Sequence, residues 1–388
     1  MPPRMSVIQW KKPFNDADLL LGVGLLGTNG AEHYQYRKIL NPLFSASQVM
    51  TYLPIFEAQT RRCCDSILTQ ACEAKSPLDM LHVFQHRTLE IIGKAAFGYE
   101  FQDYPAAHAA YQAYTSPPSK LFRIGVIAIP GFLNLPLSEV LRRRGTQKIL
   151  KKIMTEVIEN KLQQLANVDQ GTQSADLLDL VLPHSTTSEA IFGIAMLTQY
   201  PTVATKVRQE YIAATAKHGT LATGEALAKL KYTLAMIQET LRLNTIVYPI
   251  RRQPQTDDDL PLANGSTIFI PKGIKIQISI VAMHRNPKYW ADTDSFIPDR
   301  FVENSVEWKA DLALRDGKPH KFFYFPFGGG SKNGIGQHFA IAEMQLIVAM
   351  FAGQFDFHAT PKANLRLKYN GITVQPAKVE VTLRRAAE

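Results

Sequence analysis

Cysteine is scarce in this 388-residue chain: only Cys63, Cys64 and Cys72 occur, all within one short stretch. That excludes a disulfide framework and offers no zinc-type spacing, so no metal site is expected of them and a reducing compartment is. Long apolar runs are also lacking. The start, MPPRMSVIQWKKPF, has no run long enough for a signal peptide or a membrane anchor, and no later run reaches spanning length. Blocks of like charge are missing too. Lysine and arginine number 43 against 34 acidic residues, a net charge of +9, and they are spread along the chain. No nucleic-acid fold signature accompanies them, so nucleic acid is not an expected partner. The excess suits an anionic membrane surface or an acidic redox partner, or is an ordinary solvated basic surface.

What is present is ordinary for a globular protein. Hydrophobic residues make up 46% and charged residues 20%, enough to bury a large core in a single domain over 1–388. After a Gly-rich stretch, GVGLLGTNG, apolar residues recur at helical spacing from Ala31 to about Ala74 and again over LHVFQHRTLEIIGKAAFG, which Gly98 ends. The segment Leu121 to Leu137 is unusually apolar but interrupted by Gly125, Pro130, Gly131 and Pro136. It cannot be a regular spanning helix. It reads either as a buried connection or as a loop dipping into a membrane interface, beside Arg142, Arg143 and Arg144. Helices are expected from Gln147 to Leu165, Ser185 to Gln199, Pro201 to Lys217 and Leu227 to Leu243. Next, STIFIPKGIKIQISIVAM alternates around Pro271-Lys272-Gly273 and reads as a β-hairpin. A coil follows to about Phe327, then a helix from Ile335 to Ala352. Short strands with an Asn370-Gly371 turn close the chain. The fold class is mostly α with a small β portion towards the C-terminus.

Three strings stand in order within this frame. Glu239-Thr240-Leu241-Arg242 places a carboxylate and a guanidinium three apart on one helix face. Phe296-Ile297-Pro298-Asp299-Arg300-Phe301 follows, and then Phe327-Gly328-Gly329-Gly330-Ser331-Lys332-Asn333-Gly334-Ile335-Gly336. Order and spacing resemble the E-x-x-R, P-x-R-F and F-G-G-G-x-R/K-x-C-x-G signatures of the cytochrome P-450 family, the haem-thiolate monooxygenases. The string VAMHRNPKYWADTDSFIPDRF between them is similar to the family at nearly every position. The resemblance runs from about Gly24 to the C-terminus. It implies a structural triad of Glu239, Arg242 and Arg300, in which Arg forks and a carboxylate lock a loop onto a helix. It implies haem as cofactor, with Phe327 and Lys332 in the haem loop. Arg37, His33 and Arg252 are the matching positions for haem propionates, since guanidinium meets a carboxylate as a planar fork. It also implies an apolar small-molecule substrate, a reductase as electron donor, and the cytoplasmic side of the endoplasmic reticulum. Without an anchor, this chain is expected to be peripheral to the membrane or soluble in the cytoplasm. A dinucleotide fingerprint at Gly334-Ile335-Gly336 is excluded, because the third glycine and a βαβ unit are missing.

The chain departs from the family in three places. Gly334 stands where the family has its iron-ligating cysteine, and glycine cannot ligate. His338, one helical turn further on, reads as a surface or packing histidine. At the distal helix, Leu182-Pro183-His184-Ser185-Thr186-Thr187-Ser188 keeps only the Thr-Thr-Ser of the family's A/G-G-x-D/E-T-T core. Thr186 matches the oxygen-activating threonine. It also fits a capping box with Glu189, so a shortened helix is expected to begin near Ser185. Finally, the family's anchor, proline hinge and first β-sheet have no counterpart at the start. The expectation is a cytochrome P-450-like fold, incomplete at the N-terminus and in this central helix. Such a protein is catalytically inactive or impaired as written. Two alternatives stand beside it. One is a working haem monooxygenase of an apolar small molecule whose sequence is incompletely represented here. The other is a non-catalytic haem- or lipid-binding scaffold.

Overall fold

The computed structural model describes residues 10–11, 25, 28–97, 113, 119–129, 131–149, 152, 184–247, 249–262, 264–369 and 373–386. In chain order its elements are β1 (Trp10–Lys11), α1 (Gly30–Leu40), α2 (Ala46–Cys63), α3 (Thr69–Glu73), β2 (Leu78–Asp79), α4 (Met80–Ile92) and α5 (Lys120–Ala128). Then come α6 (His184–Gln199), α7 (Pro201–His218), α8 (Gly224–Leu227), α9 (Lys231–Leu243), β3 (Pro249–Pro254), β4 (Asp258–Pro261), β5 (Thr267–Ile270) and β6 (Ile276–Ser279). The rest are α10 (Ile280–His284), α11 (Val306–Leu314), α12 (Gln337–Gln354), β7 (Phe355–Ala359), β8 (Asn364–Tyr369), β9 (Val374–Lys378) and β10 (Glu380–Arg385). A mostly helical protein with small sheets results, as its apolar periodicity requires.

The core lies where α2, α6, α7 and α9 pack around α12. Of α12, all residues from Ala342 to Ala352 are buried, so it is apolar on every side and must sit at the centre. Phe339 at its start meets Phe44, Tyr52 and Phe56 of the α1–α2 region, with ring centroids 4.8–6.0 Å apart. α2 is not interrupted at the cysteines; a π turn, Cys64–Leu68, carries it on into α3. Its N-terminus is capped by Ser45, whose Oγ accepts from the Gln48 N–H.

Several expectations change. The helix foreseen over Leu227 to Leu243 is two helices, broken at Ala228–Leu230. Glu210 of α7 supplies the reason: its carboxylate accepts from the N–H groups of Tyr232 and Thr233 at 2.6 and 2.8 Å, and so starts α9 from outside. The hairpin foreseen around Pro271-Lys272-Gly273 does not form. β5 pairs with β4, and β6 pairs with β3, both antiparallel. The turn is tied elsewhere, since Lys272 N–H donates to Asp257 Oδ1 and Gly273 N–H to Pro254 O. It therefore hands the chain from one sheet to the next. The N-terminal stretch contributes one short strand, with Trp10 opposite Pro254 and Lys11 opposite Gln253. β8 and β9 pair as the closing strands, with Tyr369 opposite Val374; the Asn370-Gly371 turn lies outside the described residues. So do Gly98 and most of Gln147 to Leu165.

The apolar segment after Leu121 is not a buried connection. Beyond α5 the left-handed Gly131 redirects the chain, and the Phe132 ring packs on Gly125 of α5, where it leaves no space for a Cβ. Phe122, Phe132 and Val140 form a small cluster apart from the main core. Leu121 and Ile124 are 80% and 62% exposed, and Ile129, Leu135, Leu137 and Leu141 are exposed beside them. Among the described residues, no helix is long and apolar enough to cross a membrane.

Candidate functional site

Two of the three strings meet on α9, and the third leads into α12. Glu239 and Arg242, one turn apart on α9, form a forked pair: Arg242 Nε and Nη2 donate to Oε2 and Oε1 at 2.7 and 2.8 Å. Arg300 Nε donates to the same Oε1 at 3.0 Å, as does the Ile297 N–H at 2.9 Å. Arg242 reaches on to the carbonyls of His284, Thr293 and Ser295. All three charged side chains are fully buried. The arrangement pins the 292–300 coil onto α9 with every charge paired.

Sequence reasoning missed three contributors to this knot. Asp311 of α11 accepts from Arg300 Nη1 at 2.9 Å and from the Ala291 N–H at 2.7 Å. Its i+4 spacing to Arg315, whose Nε donates to Asp311 O, was the available signal. Trp290 is buried among the guanidinium groups of Arg315, Arg242 and Arg300, which lie 4.8, 5.5 and 6.0 Å from its ring. His284 links the knot to the Gly-rich loop. Its Nε2 accepts from the Phe325 N–H at 2.8 Å, so its proton sits on Nδ1, facing Thr245 Oγ1 at 3.0 Å. Burial, followed by the neighbouring Arg242 charge, lowers its pKa to about 3, and it stays neutral.

The loop from Phe327 to Gly336 is a tight turn. Gly328 and Gly330 adopt φ of +73° and +76°, conformations that favour glycine. Gly334 does not. Its N–H donates to Phe327 O at 2.8 Å, and an added Cβ would lie 3.3 Å from the Phe327 Cβ. Here glycine is not required by the backbone. A side chain there requires the backbone at Phe327 to give by a few tenths of an ångström, because the closest atom is the Phe327 Cβ.

The cations expected around a haem are gathered here, but their donors meet protein oxygens. Arg37 of α1 spans Asn333, with Nη1 on its carbonyl and Nη2 on Oδ1, both at 2.9 Å. Lys332 Nζ reaches Thr28 O and Asn29 Oδ1, each at 2.6 Å. His33 is buried on α1. Arg252 lies on β3, half-buried, with Nη1 on Arg251 O. Burial lowers the pKa of both Arg37 and Arg252, though guanidinium remains charged.

The donor set does not fit a haem-thiolate centre. No thiol lies at position 334. Cys63 and Cys64 are buried in the α2 region; burial pushes the Cys63 thiol up to about 11 and that of Cys64 higher still, which removes thiolate character. Among the described residues, no cluster of His, Cys, Asp or Glu could hold a metal ion. His338 is exposed at the start of α12.

Thr186 is not at a helix cap. The described residues of α6 begin at His184, so Thr186 lies within the helix. Its intended partner, Glu189, is buried on the side facing α12, with Oε2 lacking any hydrogen-bond partner among the described residues.

Comparison with known proteins agrees with this geometry. The model of the family described as Cytochrome P450 matches residues 9–190 and 183–383, two stretches that meet where α6 begins. Cytochrome P450 monooxygenase 91 of Postia placenta is 27% identical over 89% of this chain and 74% of its own length. Cytochrome P450 4A2 of Rattus norvegicus is 26% identical over 90% and 73%, and Cytochrome P450 3A7 of Homo sapiens 25% over 95% and 76%. The crystal structure of a cytochrome P450, CYP102L1, superposes with a TM-score of 0.79, covering 97% of this chain and 89% of that one at 21% identity. The family's cofactor is haem. With its buried Glu–Arg–Arg knot, its Gly-rich loop and family matches that together span nearly its whole length, this chain belongs to the cytochrome P450 family.

Proposed function

We propose that this chain is a cytochrome P450 homologue that does not carry out thiolate-haem oxygenation as written. Gly334 carries the reading. A thiolate pushes electron density onto haem iron and favours O–O cleavage, and position 334 offers no side chain at all. The protonated cysteines of α2 offer no substitute. Arg37 and Lys332 donate to Asn333, Thr28 and Asn29, which ties α1 to the Gly-rich loop. The test is spectral. Purified full-length protein is supplied with haemin, reduced and exposed to carbon monoxide. No band of the thiolate-ligated carbonyl type is expected. A clear band of that type sinks the proposal.

A working monooxygenase of an apolar small molecule, fed by a reductase, is the reading that takes over if this one fails. It draws support from the knot of Glu239, Arg242 and Arg300, which is intact. Transcript sequencing addresses it directly. A cysteine codon at 334 would favour it, and a confirmed glycine counts against it.

The exposed face of α5 favours a further role, peripheral contact with a lipid surface such as the cytoplasmic face of the endoplasmic reticulum. Leu121, Ile124, Ile129 and Leu137 present apolar surface to solvent. Burying it in an interface is favourable at about 25 cal/mol per Å². Replacing Leu121 and Ile124 together by serine is expected to cut co-sedimentation with liposomes several-fold, to about a fifth or less of wild type. Equal sedimentation of both forms would remove the lipid role.

A further inference from the structure

Among the described residues, two buried carboxyls stand without an ion-pair partner. Glu189 of α6 and Glu343 of α12 are enclosed by the core, 3% and 1% exposed. Glu189 Oε2 and Glu343 Oε1 have no hydrogen-bond partner among the described residues. The two helices touch on this side. Gly193 lies one turn beyond Glu189 on the same face of α6, and an added Cβ there would come within 3.3 Å of Val348 Cγ2 on α12. Glu343 also senses the charge of Glu189 directly.

Among the described residues, no cation pairs with either carboxyl. The cations of the surrounding elements have carboxylate partners of their own. Arg242 of α9 is forked onto Glu239, Arg87 of α4 is closed on Glu90 at 2.6 Å, and Arg208 of α7 pairs with Asp356 of β7. Lys378 of β9 pairs with Glu380. Tyr324, in the segment leading to the Gly-rich loop, is the remaining titratable neighbour of Glu189, and its hydroxyl donates to Gln238 O at 2.9 Å. Two carboxylates cannot both stay ionised in such a space, because the desolvation cost has no compensating partner.

We propose that Glu189 and Glu343 form a proton-dependent joint, which holds α6 on α12 while the carboxyls are neutral and releases it when both ionise. The joint matters because α12 emerges directly from the Gly-rich loop and α6 carries the Thr-Thr-Ser string. Loosening it frees the helix that follows the Gly-rich loop from the helix that carries that string. The direction follows from linkage. Burial raises Glu189 to about 8, and burial with the Glu189 charge raises Glu343 well above its ordinary value. In the unfolded chain both ionise in the usual carboxylate range. The folded joint therefore retains protons that the open form gives up. Stability of the joint is full below that range and declines as pH rises towards the folded values.

The experiment is hydrogen exchange by mass spectrometry on the full chain between about pH 5 and about pH 8, corrected for the intrinsic pH dependence of exchange. Opening of α6 and α12 is expected to increase by up to about tenfold per pH unit for each retained proton. Peptides from β7 and β10 serve as the internal reference. Glu189→Gln and Glu343→Gln should each flatten the profile, and the double variant should show no pH dependence in these helices. Should a variant not fold, infrared spectroscopy of wild-type protein decides. A protonated-carboxyl band at neutral pH that titrates away above about pH 8 supports the joint. Its absence, or equal pH profiles for wild type and the double variant, overturns it.

Discussion

Gly334→Cys is expected to convert a protein with no thiolate-type carbonyl band into one that shows it. The argument rests on backbone and space. Gly334 does not sit in the left-handed region, so an L side chain is compatible with its φ, unlike at Gly328 or Gly330. The new Cβ would meet the Phe327 Cβ at 3.3 Å, a contact that the loop backbone must relieve by a few tenths of an ångström. The loop is otherwise built: the N–H of residue 334 is held by Phe327 O, and Ala340 N–H by Gly336 O as α12 begins. Position 334 is also less buried than Cys63, so its thiol is not forced to stay protonated by the core. Haemin titration of wild type and variant, followed by reduction and carbon monoxide, measures the gain. A variant that remains silent would mean that the loop no longer presents position 334 to the iron. The defect would then reach beyond one residue.

Glu239→Gln is expected to destabilise the fold by about 3–5 kcal/mol, a large part of a typical domain's total stability of about 5–15 kcal/mol. The substitution keeps the side chain's size but removes the charge that Arg242 and Arg300 share, leaving the buried Arg242 guanidinium without a carboxylate and Arg300 with Asp311 alone. Arg300→Ala should cost a comparable amount, since it also removes the closer of the two guanidinium partners of the buried Asp311. The two effects should not add, because both substitutions dismantle one network. Lys206 and Asp299 provide the contrast: their pair is 3.4 Å apart with Lys206 half-exposed, and Lys206→Ala should cost less than about 1 kcal/mol. Urea unfolding monitored by tryptophan fluorescence distinguishes these cases, because Trp290 stacks against the three guanidinium groups involved. A Glu239→Gln variant as stable as wild type would mean that the knot is not what holds the coil on α9.

Much of this architecture could be read from local sequence alone. The helices α1, α2, α4, α7 and α12 follow apolar periodicity, and their ends follow Ser45, Pro201 and the Gly-rich loop. Spacing on one helix face made the Glu239–Arg242 pair legible, and the resemblance of the motifs to the family added Arg300 to it. Gly334 was legible as well, since a missing side chain needs no structure to be noticed.

The features that escaped depend on partners distant in sequence. Glu210 splits the helix over Leu227 to Leu243 from another helix. Asp257 and Pro254 redirect the Pro271–Gly273 turn, so that β5 and β6 join different sheets. Glu189 passed for a capping residue because local pattern cannot tell which face of α6 meets α12. Sequence determined the periodicity, the motifs and the lost ligand, all of them local. Only tertiary packing decided which carboxylates are paired and which are orphaned, because pairing and desolvation are set by neighbours that the chain order does not bring together.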